Sequence, residues 1–429
     1  MQLKIRLIVM NFLVFAVWGS YLTSMGSYLA SVGMGMHIGW FYSVQGIVSL
    51  FMPALIGIVA DRWIPAQKML SICHFLAAGF MALTGYMGMA YGDQVTFAQL
   101  FPFYTMSVAF FMPTIALDNS VSYTALTAGG YDTVKAFPPI RVFGTIGFIC
   151  SMWIVDLLGF QHDYRQFFVC AAWGIVLGFY ALTLPNCPVN KNVEKKSFVD
   201  TFGLRAFSLF KDKKMCIFFI FSMLLGVSLQ ITNGYANAFI SAFASVKEYA
   251  DTFAVQHANI LISLSQISET LCILLIPFCL RRFGIKNVML MAMFAWVFRF
   301  GFFAVGNPGN GVWLFILSMI VYGVAFDFFN ISGSLFVDQE TSPEIRSSAQ
   351  GVFMMMTNGF GATIGTLGAQ FVVNRLVYSN PDPVAQIPGW TSTWYIFAGY
   401  ALVVAILFAI FFRYKHTRSE DGIADNKGV

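Results

Sequence analysis

Apolar runs of about 20 residues, the length an α-helix needs to cross a bilayer's hydrocarbon core, recur along the whole chain and are separated by short polar breaks. Twelve such runs stand at roughly 7–29, 38–60, 69–91, 97–118, 138–158, 167–184, 215–243, 255–280, 286–306, 312–337, 347–374 and 391–413. The pattern predicts an all-α membrane protein of twelve transmembrane helices. One break stands out: "PNCPVNKNVEKKSFVDTFGLRAFSLFKDKK" over 185–214 is the longest polar interval, and it parts the runs into two sets of six. The chain therefore reads as an N-terminal bundle (1–184), a linker (185–214), a C-terminal bundle (215–413) and a polar, disordered tail (414–429). Within the linker, "FVDTFGLRAFSLF" has the pattern of an amphipathic helix lying along the membrane surface.

Composition sharpens this picture. Of 429 residues, 58% are hydrophobic and only 10% charged, and 47 are Phe, whereas soluble domains carry about 25% charged residues. Such a chain needs lipid around it. The net charge of +5 is spread without a dense Lys/Arg block, which argues against nucleic acid as a partner. Seven Cys are scattered, mostly inside apolar runs, with no CxxC pair, so they read as free thiols, not a disulfide framework or a zinc site. The positive start followed by a long apolar run reads as the first span, not a cleaved signal.

Cations set the expected orientation. Lys4, Arg6, Arg62, Lys68, Lys135, the central linker, Arg281, Arg282, Lys286, Arg346, Arg413, Lys415 and Arg418 all fall on one side if the spans alternate. The opposite loops hold only Arg165, Lys247 and Arg375. Both termini are thus expected to be cytoplasmic.

The informative exceptions are polar groups inside apolar runs. Glu269 and Asp327 lie deep in the runs at 255–280 and 312–337. A carboxylate at that depth costs roughly 2.5–3.5 kcal/mol or more, so it needs a cavity, a partner or a proton. Desolvation favours the neutral acid, which makes reversible protonation possible at physiological pH. In "LISLSQISETL" Gln266 shares a helix face with Glu269. The bland reading of Glu269 is a structural carboxyl paired with Arg299. In "VYGVAFDFFNISGS", Tyr322 and Phe326 are i, i+4, and Asp327, Asn330 and Ser334 form a second stripe. Aromatic faces beside hydrogen-bonding groups suit a planar base or a sugar ring. "FPPIRVFGTIGF" puts Arg141, Thr145 and Phe148 on one stripe, with Pro138-Pro139 as a helix start; otherwise Arg141 snorkels to the interface. "SLQITNGYAN" sets Gln230, Asn233 and Asn237 on one face, amides that serve either a heteroatom-rich ligand or helix–helix contacts. Asp118 and Asn119 line a cavity or lie in a loop, depending on where their span ends. His74 and His257 read as satisfied residues at helix interfaces.

Two sets of six spans joined by a cytoplasmic linker resemble the major facilitator superfamily, whose members rock two bundles about a midplane site. "GIVADR" (Gly57 to Arg62) resembles its G-x-x-x-D-R loop signature, in which the pair Asp61 and Arg62 would latch helix ends as a gate. A membrane-embedded enzyme would need HExxH, GxSxG or a paired-Asp span, and the sequence has none. A transport-derived sensor would carry a sizeable soluble domain, and the linker is too short for one.

More specifically, "FPPIRVFGTIGF", "FFIFSMLLGVSLQITN", "SQISETL", "GIKNVM", "SMIVYGVAFDFFNISGS" and "AQGVFMMMTNGFG" resemble the nucleoside:H⁺ symporter family of that superfamily. The resemblance runs along nearly the whole chain. It implies an inner-membrane, multi-pass bacterial symporter, monomeric and without a bound cofactor or metal, that imports nucleosides such as uridine, adenosine and cytidine with protons. By motif, it implies substrate contacts from Arg141, Thr145, Phe148, Gln230, Asn233, Gln266, Glu269, Tyr322, Phe326 and Asp327, with Glu269 and Asp327 coupling the protons. The chain departs from the family's pattern at Ser228, where an acidic residue is expected, at Asp118, where an apolar one is, and around 29–40. These changes bear on substrate preference and proton number. A sugar or other polar solute is the alternative cargo for the same fold.

Overall fold

The computed structural model describes residues 2–188, 204–342 and 345–414. Those residues are almost entirely helical, with no strand among them. Lipid offers a backbone no hydrogen-bond partner, so each apolar run must satisfy its own N–H and C=O groups by coiling. The helices are α1 (Gln2–Gly19), α2 (Met25–Ser31), α3 (Ile38–Ser49), α4 (Met52–Arg62), α5 (Ala66–Tyr91), α6 (Phe97–Ala128), α7 (Thr133–Leu157) and α8 (Arg165–Ala181). After the linker come α9 (Lys213–Leu229), α10 (Ile231–Ala242), α11 (Phe253–Gln256), α12 (Ala258–Ile273), α13 (Ile276–Val305), α14 (Val312–Glu340), α15 (Arg346–Met354), α16 (Ala362–Val373) and α17 (Gln386–Phe411). Among the described residues, eight helices are long and apolar enough to cross a membrane, and a ninth span arises if α3 and α4, bent by 43°, are joined. α8 and α12 are shorter apolar helices.

Several single apolar runs are broken helices. The first stops at Gly19 and resumes at Met25. The run at 215–243 breaks at Gln230, between α9 and α10. A π-helical turn, Met355–Gly361, separates α15 from α16. α13 is kinked at Gly284, whose φ of 76° suits a residue without a Cβ. This kink falls in "RRFGIKN", where the sequence places a loop.

Two expected boundaries shift. α6 does not end at 118 but runs to Ala128, because Asp118, Val121, Ser122 and Ala125 keep a buried face at helical spacing after the apolar run stops. α7 starts at Thr133, so Pro138 and Pro139 lie inside it. The carbonyls they leave without donors belong to its first turn, where a helix is open to water. Of the proposed surface helix, only the end is described, as a 3₁₀ segment, Leu204–Lys211; residues 189–203 and the tail from 415 lie outside the described residues. All seven Cys are free, and Cys73, Cys170, Cys187 and Cys272 are buried.

Packing sorts by sequence. α1 rests on α7 and α8, and α5 on α6 and α8. After the linker, α13 packs on α14 and α17, and α12 on α14. The early and late helices meet chiefly through α2 with α10, α3 with α16, and α7 with α12. At the first of these seams a Cβ on Gly26 would strike the Gly234 carbonyl oxygen, so the two backbones touch directly.

Candidate transport site between the early and late helices

Arg141 is half-buried on α7, with its Cζ 3.9 Å from the centre of the Phe15 ring on α1. It lies within electrostatic range of three carboxyls: Asp118 on α6, Glu269 on α12 and Asp327 on α14. Glu269 and Asp327 also lie within electrostatic range of each other, and both within range of Tyr322. The structure thus brings together, from helices far apart in sequence, the charges that the sequence placed inside apolar runs. Arg141 does not snorkel away from the protein.

Around this cluster the supporting chemistry is aromatic and amide. The Tyr322 and Phe326 rings stack, with centroids 5.7 Å apart and planes at 14°. Phe148, buried, meets Trp18 edge-on at 6.2 Å. Thr145 and Gln266 are half-buried. Gln230 sits at the break between α9 and α10, and its Oε1 accepts a hydrogen bond from Asn233 Nδ2 at 3.0 Å. A helix break leaves backbone groups free to meet a solute, as in other discontinuous membrane helices. Asp327 is 7% exposed and its Oδ2 has no hydrogen-bond partner.

Arg299 does not pair with Glu269. Among the described residues, no cation lies within ion-pair distance of either Glu269 or Asp327. Arg299 is instead fully buried behind Tyr322, with Cζ 4.3 Å from that ring's centre. It donates from Nη1 to the Ser318 carbonyl at 2.8 Å and to Ser265 Oγ at 3.3 Å. The arginine holds the aromatic wall from behind.

Other candidates separate from the cluster. Ser334 donates to Gln350 Oε1 at 3.1 Å and so is engaged elsewhere. Asn237 is engaged at the seam with the early helices: it is fully buried and accepts from Ser27 Oγ at 2.5 Å. His74 is buried against Phe111 with neither ring nitrogen bonded, so it is not a satisfied interface residue. The side chains of Asp61 and Arg62 lie outside the described ones; their backbone ends α4.

Sequence reasoning missed a second polar constellation, at one end of the bundle. Asp156, near the end of α7, accepts from the Asn259 and Ile260 backbone N–H groups at 3.1 and 3.2 Å, and its Oδ1 lies 2.5 Å from His257 Nδ1. Thr23 donates to Asn259 Oδ1 at 2.5 Å, Gln161 to the Gln256 carbonyl at 2.8 Å, and Trp153 to Ser263 Oγ at 2.8 Å. His257 is therefore an interface residue with a partner. Among the described residues, every hydrogen bond between early and late helices falls at this end, which is closed.

A charged, aromatic-walled site held between two groups of membrane helices, with one end sealed, defines a solute transporter and not an enzyme. The chain belongs to the nucleoside H⁺ symporter family, whose model matches residues 1–417. It is 48% identical to the nucleoside permease NupG of Escherichia coli K12, over 98% of this chain and 99% of that protein. It is 47% identical to the E. coli K12 xanthosine permease, over 97% of each. A crystal structure of the nucleoside transporter NupG aligns with a TM-score of 0.87 at 48% identity, covering 97% of this chain and 100% of that one.

Proposed function

We propose that this protein imports nucleosides, purine and pyrimidine alike, across the bacterial inner membrane together with protons. In this reading twelve spans form two six-helix bundles with both termini in the cytoplasm, and one chain works as a monomer. The observation that carries it is the meeting of Arg141 from the early helices with Glu269 and Asp327 from the late ones beside stacked aromatic rings. Family membership supports the cargo and the coupling ion, and the names of the two permeases support nucleosides over sugars.

The working cycle follows from the physics of buried charge. From the outside, Glu269 or Asp327 takes a proton, which removes a charge that hydrocarbon disfavours and lets the nucleoside seat. Gln230, Asn233, Gln266, Thr145 and the carboxyls hydrogen-bond the ribose and base, while Tyr322, Phe326 and Phe148 offer ring faces. The neutralised site closes at lower cost, and the bundles rock about it. The sealed end then faces the periplasm and the site is presented to the cytoplasm. The membrane potential supplies about 2.3 kcal/mol per charge per 100 mV.

Accumulation of labelled uridine in energised vesicles tests this. Glu269→Gln and Asp327→Asn should abolish accumulation against a gradient, and a protonophore should do the same to the parent. Full accumulation in either variant, or in uncoupled vesicles, contradicts proton coupling. Competition by free sugars but not by adenosine or cytidine would assign the other cargo.

A further inference from the structure

Against the sealed end lies a cleft of about 560 Å³ that the cycle above does not use. Small-molecule sites span roughly 300–1,000 Å³, so a solute of nucleoside size fits. Early and late helices build it together: Ser27 and Ser31 come from α2, Ser241 from α10 and Gln386 from the start of α17. Its wall is part of the seal, since Ser27 and Ser241 both donate to Asn237 Oδ1, at 2.5 and 3.0 Å. Gly26, whose backbone touches the Gly234 carbonyl, is the neighbour of Ser27 in the chain. A solute in this cleft therefore rests on the two helices that must part to admit it.

The polar lining has one chemical sense. A serine hydroxyl has one proton to give and two lone pairs to offer. Ser31 spends its proton on the Tyr28 carbonyl at 2.8 Å, Ser241 on Asn237, and Ser245 on the Ala242 carbonyl at 2.8 Å. Gln386 gives its Nε2 to the Asn380 carbonyl at 2.8 Å, which leaves Oε1 to accept. The cleft thus presents acceptors, and it suits a solute rich in O–H and N–H donors. Among the described residues no Asp, Glu, Lys or Arg lines it, so an anion such as a phosphate would gain little there. Tyr378 adds an aromatic ring that is held from two sides. A Cβ on Gly35 would stand 2.5 Å from that ring, and Trp390 meets it edge-on at 6.0 Å.

We propose that this cleft is an outer loading site, where a neutral nucleoside binds before the seal opens. The ribose hydroxyls donate to the serine and Gln386 oxygens, and the base lies against Tyr378. This rests on the nucleoside-import reading above, which turns the sealed end towards the periplasm. Parting α2 from α10 separates Ser31 from Ser241 and Gln386. The cleft therefore holds its solute only while the end is shut, and releases it as the way to the central site opens.

A cysteine in the cleft reads its occupancy. Ala244 lines it and is exposed, so Ala244→Cys in right-side-out vesicles should react with a membrane-impermeant maleimide above the background of the native thiols. External uridine should slow that reaction severalfold. Uridine 5′-monophosphate, which brings a charge, and 2′,3′-dideoxyuridine, which lacks two ribose donors, should protect much less. Adding Gln386→Leu or Ser31→Ala should raise the half-protecting uridine concentration severalfold. Adding Phe326→Ala, which alters the central site, should leave it unchanged. Absence of protection overturns the proposal, and so does a half-protecting concentration that moves with Phe326→Ala, because the effect would then arise at the central site. Equal protection by free ribose also overturns it. Protection by uridine in vesicles whose parent protein takes up none would keep the loading site and defeat the import reading instead.

Discussion

At the scale of single residues, what the sequence made legible was charge in the wrong solvent. Arg141, Glu269 and Asp327 are conspicuous because hydrocarbon tolerates such groups only where protein surrounds them, and they do converge. Asp118 was ambiguous for the opposite reason: the apolar run ends beside it, and only the continued helical face of α6 shows that it is inside. Aromatic residues are harder to sort, since a chain with 47 Phe offers no contrast. The structure sorts them, because Tyr322 and Phe326 stack beside Asp327 while Arg299 braces Tyr322 from behind. If Phe326 provides a face for the base, Phe326→Ala should cost about 1–3 kcal/mol, the usual worth of base–aromatic stacking. That is roughly a 5- to 150-fold loss of uridine affinity, readable by titration calorimetry on purified protein. An unchanged affinity would assign Phe326 to packing alone.

At the scale of elements, the apolar runs were read correctly as helical, but not the places where a run breaks. Hydrophobicity averages over a window and is blind to a turn such as that at Gln230, which has ordinary apolar neighbours on both sides. The break matters because it sets Gln230 at the junction of two helices with its amide free to accept from Asn233. Contacts between helices are equally hidden, since small residues announce a close approach without naming the partner. Gly26 against the Gly234 carbonyl is the sharpest case. In Gly26→Val the added methyl groups have nowhere to go while α2 and α10 are in contact, and overpacking of this kind costs typically about 1–3 kcal/mol. The variant should reach the membrane in normal amounts, still bind uridine, and lose most of its net uptake, as vesicle transport beside a binding assay will show. Parental uptake would mean that this seam does not have to close during the cycle.

At the scale of the whole molecule, the decisive fact is an asymmetry between ends. The sequence could suggest two bundles and a site between them, but not which end is shut, because the groups that shut it are hydrogen-bonded across more than a hundred residues: Asp156 to His257, Asn259 and Ile260, and Thr23 to Asn259. Asp156 is the centre of that seal. Its carboxylate takes two N–H groups at the start of α12, where a helix has unsatisfied donors and favours negative charge, and holds His257 beside them. Asp156→Ala strands those donors only while the end is closed; once it opens, water can serve them. The substitution should therefore destabilise the closed form by about 1–3 kcal/mol, the cost of leaving buried groups unmet, and enrich the form open at this end. A cysteine placed at Ser241, which is bonded to Asn237 inside the seal, reports the change. Labelling of Ser241→Cys by a membrane-impermeant maleimide, measured above the background of the native thiols, should quicken severalfold when Asp156→Ala is added. Equal rates with and without Asp156 would show that the seal is held by the seams at α2 and α3 alone, and that the carboxylate is a cap for α12 and nothing more.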